Sequence, residues 1–347
     1  MHQNPISLYL ALALWSLATI PLWSQAGSIF DRIYQGPEFI PHITITANWD
    51  SLEHRRQQQT PGSIQFEARD GTTETWPVRL EKRGRYRQHV CVFPPLKLDF
   101  KKGQLRRKGL SEHDDIKLVT HCVEDETGKE YLLREYLAYQ LLHVLTERAL
   151  RVQLVDINYL HQVSGQQEEH LGILIEDMDQ LAERLRLKQP PSNRMGFSRE
   201  DLDLECALRT SLFEYMIGNA DWSLFLGRNV KMLQDTFSGR FHSIPYDFDF
   251  AGLVNASYAK PNTNHGQRQV TDRVYLGPPA SRDEMEPLVE EFLAKREALE
   301  NCVHDSVLLS QESKEEILAY LRDFFKEIKT RSFFKTVEQA SPIENKF

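Results

Sequence analysis

The stretch SREDLDLECALRTSLFEYMIGNADWSLFLGRNVKMLQDTFSGRFHSIPYDFDFAG occupies residues 198–252. Its first part reads as a helix. Ser198 followed three residues later by Asp201 is a capping-box signature, and Leu202, Cys206, Leu208, Leu212, Tyr215 and Met216 can form its buried face. Gly218 and Asn219 suit a helix end, because both tolerate a left-handed backbone. Asp221 follows at once, in a loop. The segments NVKMLQD (229–235) and RFHSIPYDFD (240–249) then read as two strands of a hairpin around a TFSG turn. The order is helix, aspartate-bearing loop, asparagine at a strand start, hairpin, and two aspartates among aromatics.

That order has a chemical logic. A loop between a buried helix and a hairpin can bring Asp221, Asn229 and Asp247 to one end of the hairpin. Phosphoryl transfer needs a carboxylate to orient or deprotonate the acceptor, and an amide and a carboxylate to hold magnesium against the phosphates. Hard oxygen donors suit magnesium or manganese, and no soft ligand stands nearby to favour zinc. Each residue alone also has a plain structural explanation: a cap, a turn residue, a strand end. The three together in this order point to a site.

Working outward, residues 38–120 are strand-like. HITITANW, SIQFEA, WPVRLEKRG and LKLDFKK carry β-branched or aromatic residues with period-two alternation, and GTTE and Pro94-Pro95 mark turns. EYLLREYLAYQLLHVL (130–145) reads as one amphipathic helix. Two strands follow, RVQLVDINYL and EEHLGILIED, with SGQQ turning between them. A polar connector, RLKQPPSNRMG, leads into a mostly helical second half whose last 65 residues are helices. Strands, one helix, strands, connector and helices make an α+β layout in two lobes.

The chain has 347 residues, 41% hydrophobic and 27% charged, as expected of an ordinary folded protein. A formal net charge of −8 argues against general nucleic-acid binding. The apolar, uncharged run Ile6–Trp23, with Ser24 and Ala26 before a cleavage point, reads as a secretory signal peptide over residues 1–26. An uncleaved membrane anchor is the competing reading. Either places the protein outside the cytoplasm: secreted, periplasmic or surface-associated. Of four cysteines, Cys91 and Cys122 could pair between neighbouring strands. There is no C-x-x-C or H-E-x-x-H, so zinc, redox and metalloprotease motifs have no basis.

GNADWSLFLGRNVKML and RFHSIPYDFDFAG resemble the catalytic core of the spore-coat-protein-H (CotH-like) atypical protein kinases. VRLEKRGRY, PPLKLDFKK, YLLREYLAYQLL and LGILIEDMD are similar to the same family's small lobe and hinge. The resemblance runs from about Trp76 to Val254. It implies a bilobal, protein-kinase-like fold, with a strand-rich N-lobe with one helix over 27–177 and a helical C-lobe over 178–347. It implies transfer of phosphate from ATP, with Mg2+ or Mn2+, to the hydroxyl of a protein acceptor that the sequence does not identify. Asp221 resembles the catalytic aspartate, Asn229 the metal-binding asparagine, and Asp247 the magnesium-binding aspartate, with Asp249 able to share the metal. Lys97 resembles the phosphate-pairing lysine and Glu135 its helix partner. Arg83 and Gly84 stand where a glycine-rich loop would cover the phosphates, and the backbone from Glu176 to Met178 would contact adenine.

Plainer readings stand beside these. Residues 82–108 hold ten Lys or Arg, a pattern usual for a solvated face, and Lys97 alternates with Leu96 and Leu98 as a solvent-facing strand residue does. Glu135 can be an exposed helix charge. Trp222 and Phe225 suit packing, and His121 and His242 suit hydrogen-bonded structural roles. Two other functions stay open: a non-catalytic pseudokinase that binds a partner, and a nucleotide-sugar glycosyltransferase, for which Asp-x-Asp is also a metal motif.

Overall fold

The computed structural model describes residues 27–54, 59–84, 86–191 and 196–342; the expected signal peptide lies outside them. Ten strands form: β1 His42–Ala47, β2 Thr60–Glu67, β3 Thr73–Lys82, β4 Leu96–Phe100, β5 Asp115–Val119, β6 Val152–His161, β7 Gln167–Ile175, β8 Leu187–Lys188, β9 Val230–Asp235 and β10 Phe241–Pro245. The helices are α1 Ile29–Ile33, α2 Trp49–His54, α3 Arg87–Val90, α4 Lys102–Arg107, α5 Glu126–Leu145, α6 Met178–Arg184, α7 Leu204–Ile217, α8 Arg282–Ala294, α9 Arg296–His304, α10 Gln311–Glu327 and α11 Arg331–Glu338. None among the described residues is long and apolar enough to cross a membrane.

Seven strands close into a barrel in the order β1-β2-β3-β4-β5-β7-β6. Closure comes from β1, which pairs antiparallel with β2 and parallel with β6, Ile43 opposite Ile157 and Ile45 opposite Tyr159. Alternation then sorts the side chains. Ile43, Ile45, Ile64, Leu80, Leu96, Leu98, Ile116, Leu118 and Ile157 fill the interior and are fully buried. Val119, Val152, Leu154, Ile173 and Ile175 face outward and join α5, α7 and the C-terminal helices in one continuous second core. β8, β9 and β10 make a separate antiparallel sheet.

This corrects the expected bilobal kinase-like fold with a one-helix small lobe. The strand-rich half is a closed seven-stranded barrel, and helices pack against its outside. Besides its own interior core, the barrel shares the outer face of β5, β6 and β7 with the helices of the second half. The parallel β1–β6 pair that closes the sheet joins residues more than a hundred positions apart, which local alternation does not disclose.

Local expectations fare differently. The helix over 130–145 lies within α5, N-capped by Asp125. The hairpin is β9–β10, with Val230 opposite Pro245. Ser198 and Asp201 do form a capping box, but on a short 3-10 turn (Arg199–Asp201), while Asp203 caps the long helix through the Cys206 amide. Cys91 and Cys122 are joined in a disulfide, which ties the end of α3 to the loop after β5.

Candidate active site

Helix α7 ends at Gly218, whose φ of +68° is left-handed. A Cβ there would meet the Tyr320 hydroxyl at 2.0 Å, so the turn needs glycine. The chain after the metal-like motif is laced to this helix end: Leu253 N donates to Ile217 O at 2.9 Å and Gly252 N to Gly218 O at 3.1 Å. These bonds bring the loop carrying Asp221 beside the Asp247–Asp249 segment.

Asp221 is half-exposed. Its amide donates to Asn219 Oδ1 at 2.9 Å, and its carboxylate and carbonyl both accept from Asn229 Nδ2, at 3.1 and 2.7 Å. Arg228 Nε stands 3.6 Å from Oδ1. Burial pushes the Asp221 carboxyl up, and the neighbouring Asp247 charge adds to this, against Arg228 and Asn229. A raised, partly exposed carboxyl suits a general base. Behind it, Glu214 is fully buried, and burial pushes its carboxyl well above the usual range.

Asn229 and Asp247 have left-handed backbones, φ +51° and +68°. Asn and Asp tolerate this better than other non-glycine residues, and such conformations gather at functional sites. Asp247 is fixed by its amide donating to Tyr139 Oη at 3.0 Å, from α5.

The side chain that organises the acid cluster is Arg87 of α3, which sequence reasoning placed in a solvated basic run. It is buried. Nη2 bonds Asp247 Oδ1, Nε stands 3.3 Å from Asp249 Oδ2, and Nη1 stands 3.7 Å from Glu135 Oε2. Burial raises both the Glu135 and Asp249 carboxyls, and the Arg87 charge opposes it.

The second residue missed is Lys117 of β5. Its Nζ lies 5.1 Å from the Tyr246 ring centroid, with Lys231 Nζ 5.7 Å from the same ring. Burial, with Arg83 and Lys231 as like charges, pushes the Lys117 ammonium down to about 8, against the attraction of Asp247 and Asp177. Lys117 and Lys231 therefore put two cations against Tyr246, the residue before Asp247, with the Arg83 charge adding to their field. Lys97 lies directly opposite Lys117 in the β4–β5 register, but its ammonium pairs with Asp115 at 3.1 Å and keeps about a third of its side chain exposed. Glu135 is paired with Arg87, not Lys97.

Gly84 begins the turn into α3 with φ +74°, and its carbonyl accepts from Gln88 N. Glu176 spends its carboxylate on Arg151 and Arg184, at 2.8 and 2.6 Å, and its amide on Arg151 O. Met178 opens α6 behind the Asp177 cap. This segment ends beside Lys117 through Asp177, but the Glu176 amide is not free for a base. Trp222 is fully buried in a small core with Phe197, Phe241 and Leu276. Arg273, facing the C-terminal helices, stacks on Tyr320.

Among the described residues, no group of three or more His, Cys, Asp or Glu side chains is arranged to hold a metal ion. Two of the donors that the resemblance assigns to magnesium, Asp247 and Asp249, face Arg87, whereas Asn229 donates Nδ2 to Asp221, a bond that does not use Oδ1, the atom that would ligate a metal. The two aspartates thus already have a resident cation where a divalent ion would sit.

The site thus combines a loop carboxylate, a buried acid cluster neutralised by an arginine, and two ammonium groups against Tyr246, a combination suited to a phosphorylated ligand. No family model matches the chain, and no curated protein matches it. Among solved structures it is similar to the Helicobacter pylori proinflammatory kinase CtkA, with a TM-score of 0.38 and 9% identity over 70% of this chain and 92% of that one. That degree of likeness assigns neither fold nor activity.

Proposed function

We propose that the cleft binds a nucleoside polyphosphate, ATP in the first instance, and transfers its terminal phosphoryl group to a hydroxyl of a protein acceptor. The observation that carries this reading is the pair of ammonium groups, Lys117 and Lys231, placed 5.1 and 5.7 Å from the ring of Tyr246, the residue before Asp247, whose charge reaches Asp221. The two ammonium groups suit a chain of phosphates. The acceptor oxygen attacks the γ-phosphorus, the bond to the β,γ-bridging oxygen breaks, the nucleoside diphosphate leaves with those electrons, and the hydroxyl proton passes to Asp221. Glu135 and Asp249 act through Arg87, which they hold in place.

One observation favours a second reading. With Arg87 on Asp247 and Asp249, the cleft could bind nucleotide without turning it over. Thermal shift with ATP and with a UDP-sugar tests the nucleotide step. Selective stabilisation by ATP supports the proposal, UDP-sugar selectivity supports a glycosyltransferase, and no response to either contradicts nucleotide binding. Transfer of labelled phosphate separates the catalytic reading from the silent one.

A further inference from the structure

We propose that Arg87 is the resident counter-cation of the acid cluster, so that the cleft binds its polyphosphate ligand without a divalent metal. The ligand class is taken from the reading above; the role of Arg87 stands independently of it.

Each of the three facing nitrogens of the guanidinium meets a different carboxylate, from two separate parts of the chain. The planar fork bonds Asp247 and holds its charge within 3.3 and 3.7 Å of Asp249 and Glu135 at the same time. Removing it would leave buried carboxylates with no counter-charge, which is strongly unfavourable. A divalent ion entering beside it would meet a fixed positive charge on the same oxygens.

Arg87 is also not free to swing out. Its four-residue helix is held at its C-terminal end by the Cys91–Cys122 disulfide and by Val92 N donating to Cys122 O at 3.1 Å. At its N-terminal end, Tyr86 donates its hydroxyl to Tyr258 O at 3.1 Å and packs edge-on against Phe250, with centroids 5.4 Å apart. Phe250 and Tyr258 belong to the segment that follows Asp249. The element carrying the arginine is therefore clamped both to the barrel and to the acid cluster's own loop.

The charge on the ligand has its own partners. Lys117 and Lys231 place their ammonium groups 5.1 and 5.7 Å from the ring of Tyr246, the residue before Asp247, so positive charge for a polyphosphate is already built into the chain. Arg87 neutralises the acids, and the two ammonium groups neutralise the phosphates.

Two measurements on the intact protein test this. The first is titration with Mn2+ alone, read by electron paramagnetic resonance, on the parent, Arg87→Gln and Arg87→Lys. The parent and Arg87→Lys should leave Mn2+ free, and Arg87→Gln should gain a site; stoichiometric Mn2+ binding by the parent would overturn the proposal. The second is ATP titration by calorimetry in EDTA and in excess Mg2+. The parent's Kd should differ between the two by less than about threefold, whereas Arg87→Gln should weaken by about tenfold or more in EDTA alone. A parent that loses tenfold in EDTA contradicts the proposal. If ATP binds under neither condition, the nucleotide reading fails, and the Mn2+ titration still decides the role of Arg87. If Arg87→Gln does not fold, the parent's own response to Mn2+ remains decisive.

Discussion

Replacing Lys117 by methionine should make the protein more stable and less able to bind a polyphosphate. Burial, and the repulsion of Arg83 and Lys231, lower this ammonium from 10.5 to about 8, a displacement worth about 3 kcal/mol. The sign follows from proton counting. Between about pH 8 and pH 10.5 the unfolded chain binds more protons at this residue than the folded one, so stability rises with pH through that window. At pH 7, below both values, the folded protein carries the whole penalty. Lys117→Met keeps a similar stem and removes the charge, so chemical denaturation at pH 7 should show a gain of up to about 3 kcal/mol, shrinking towards zero near pH 10.5. Such a cost is retained where function needs the charge. A bound polyphosphate should restore the ammonium: at pH 8 about half a proton should be taken up per site, visible as a binding heat that varies with the buffer's ionisation enthalpy. Lys117→Met should abolish that buffer dependence. A destabilised variant at pH 7, or proton uptake unchanged by the substitution, would refute the reasoning.

Three further outcomes are expected. Asp221→Asn should keep most of its ATP affinity and lose turnover by about 10²- to 10⁴-fold, since an amide cannot take the proton; an equal loss of binding would show that Asp221 holds the nucleotide instead. Glu214→Gln should raise the Tm at pH 7 and do so less at pH 4, because a buried carboxyl with a raised pKa costs stability only above its unfolded value; a Tm difference that is flat with pH would contradict that assignment. Reduction of Cys91–Cys122, which closes a loop of 31 residues' separation, should cost roughly 3–4 kcal/mol in denaturant unfolding. An unchanged midpoint in reductant would show that the tether on α3 carries no stability.

What the sequence disclosed follows from what is local. Period-two alternation located β1, β3, β4, β6 and β7, and period 3.6 located α5, because each pattern needs only one buried face. The loop–hairpin order anticipated that Asn229 would meet Asp221, since a helix end and a two-stranded turn leave little freedom between them. Barrel closure was hidden: HITITA pairs with strands on both sides, and nothing within it distinguishes an edge from a seam. Lys97 and Lys117 show the same limit more finely. Each alternates with buried aliphatic residues on neighbouring strands, and they face each other across the ladder. Only the packing of Tyr246 against Lys117 buries one and leaves the other, paired with Asp115, at the surface. Arg87 stood in a run of ten basic residues, where the expected fate is solvent. The cue that set it apart was Cys91, four residues on, whose disulfide ties α3 to the barrel.

The most direct test is transfer itself. The parent and Asp221→Asn, both shown to bind ATP, should be incubated with γ-labelled ATP and with proteins from the compartment where the chain resides. The parent is expected to move label onto a protein hydroxyl, and Asp221→Asn to do so at least about a hundredfold more slowly. Label transferred equally by both, or by neither, would contradict phosphoryl transfer through Asp221.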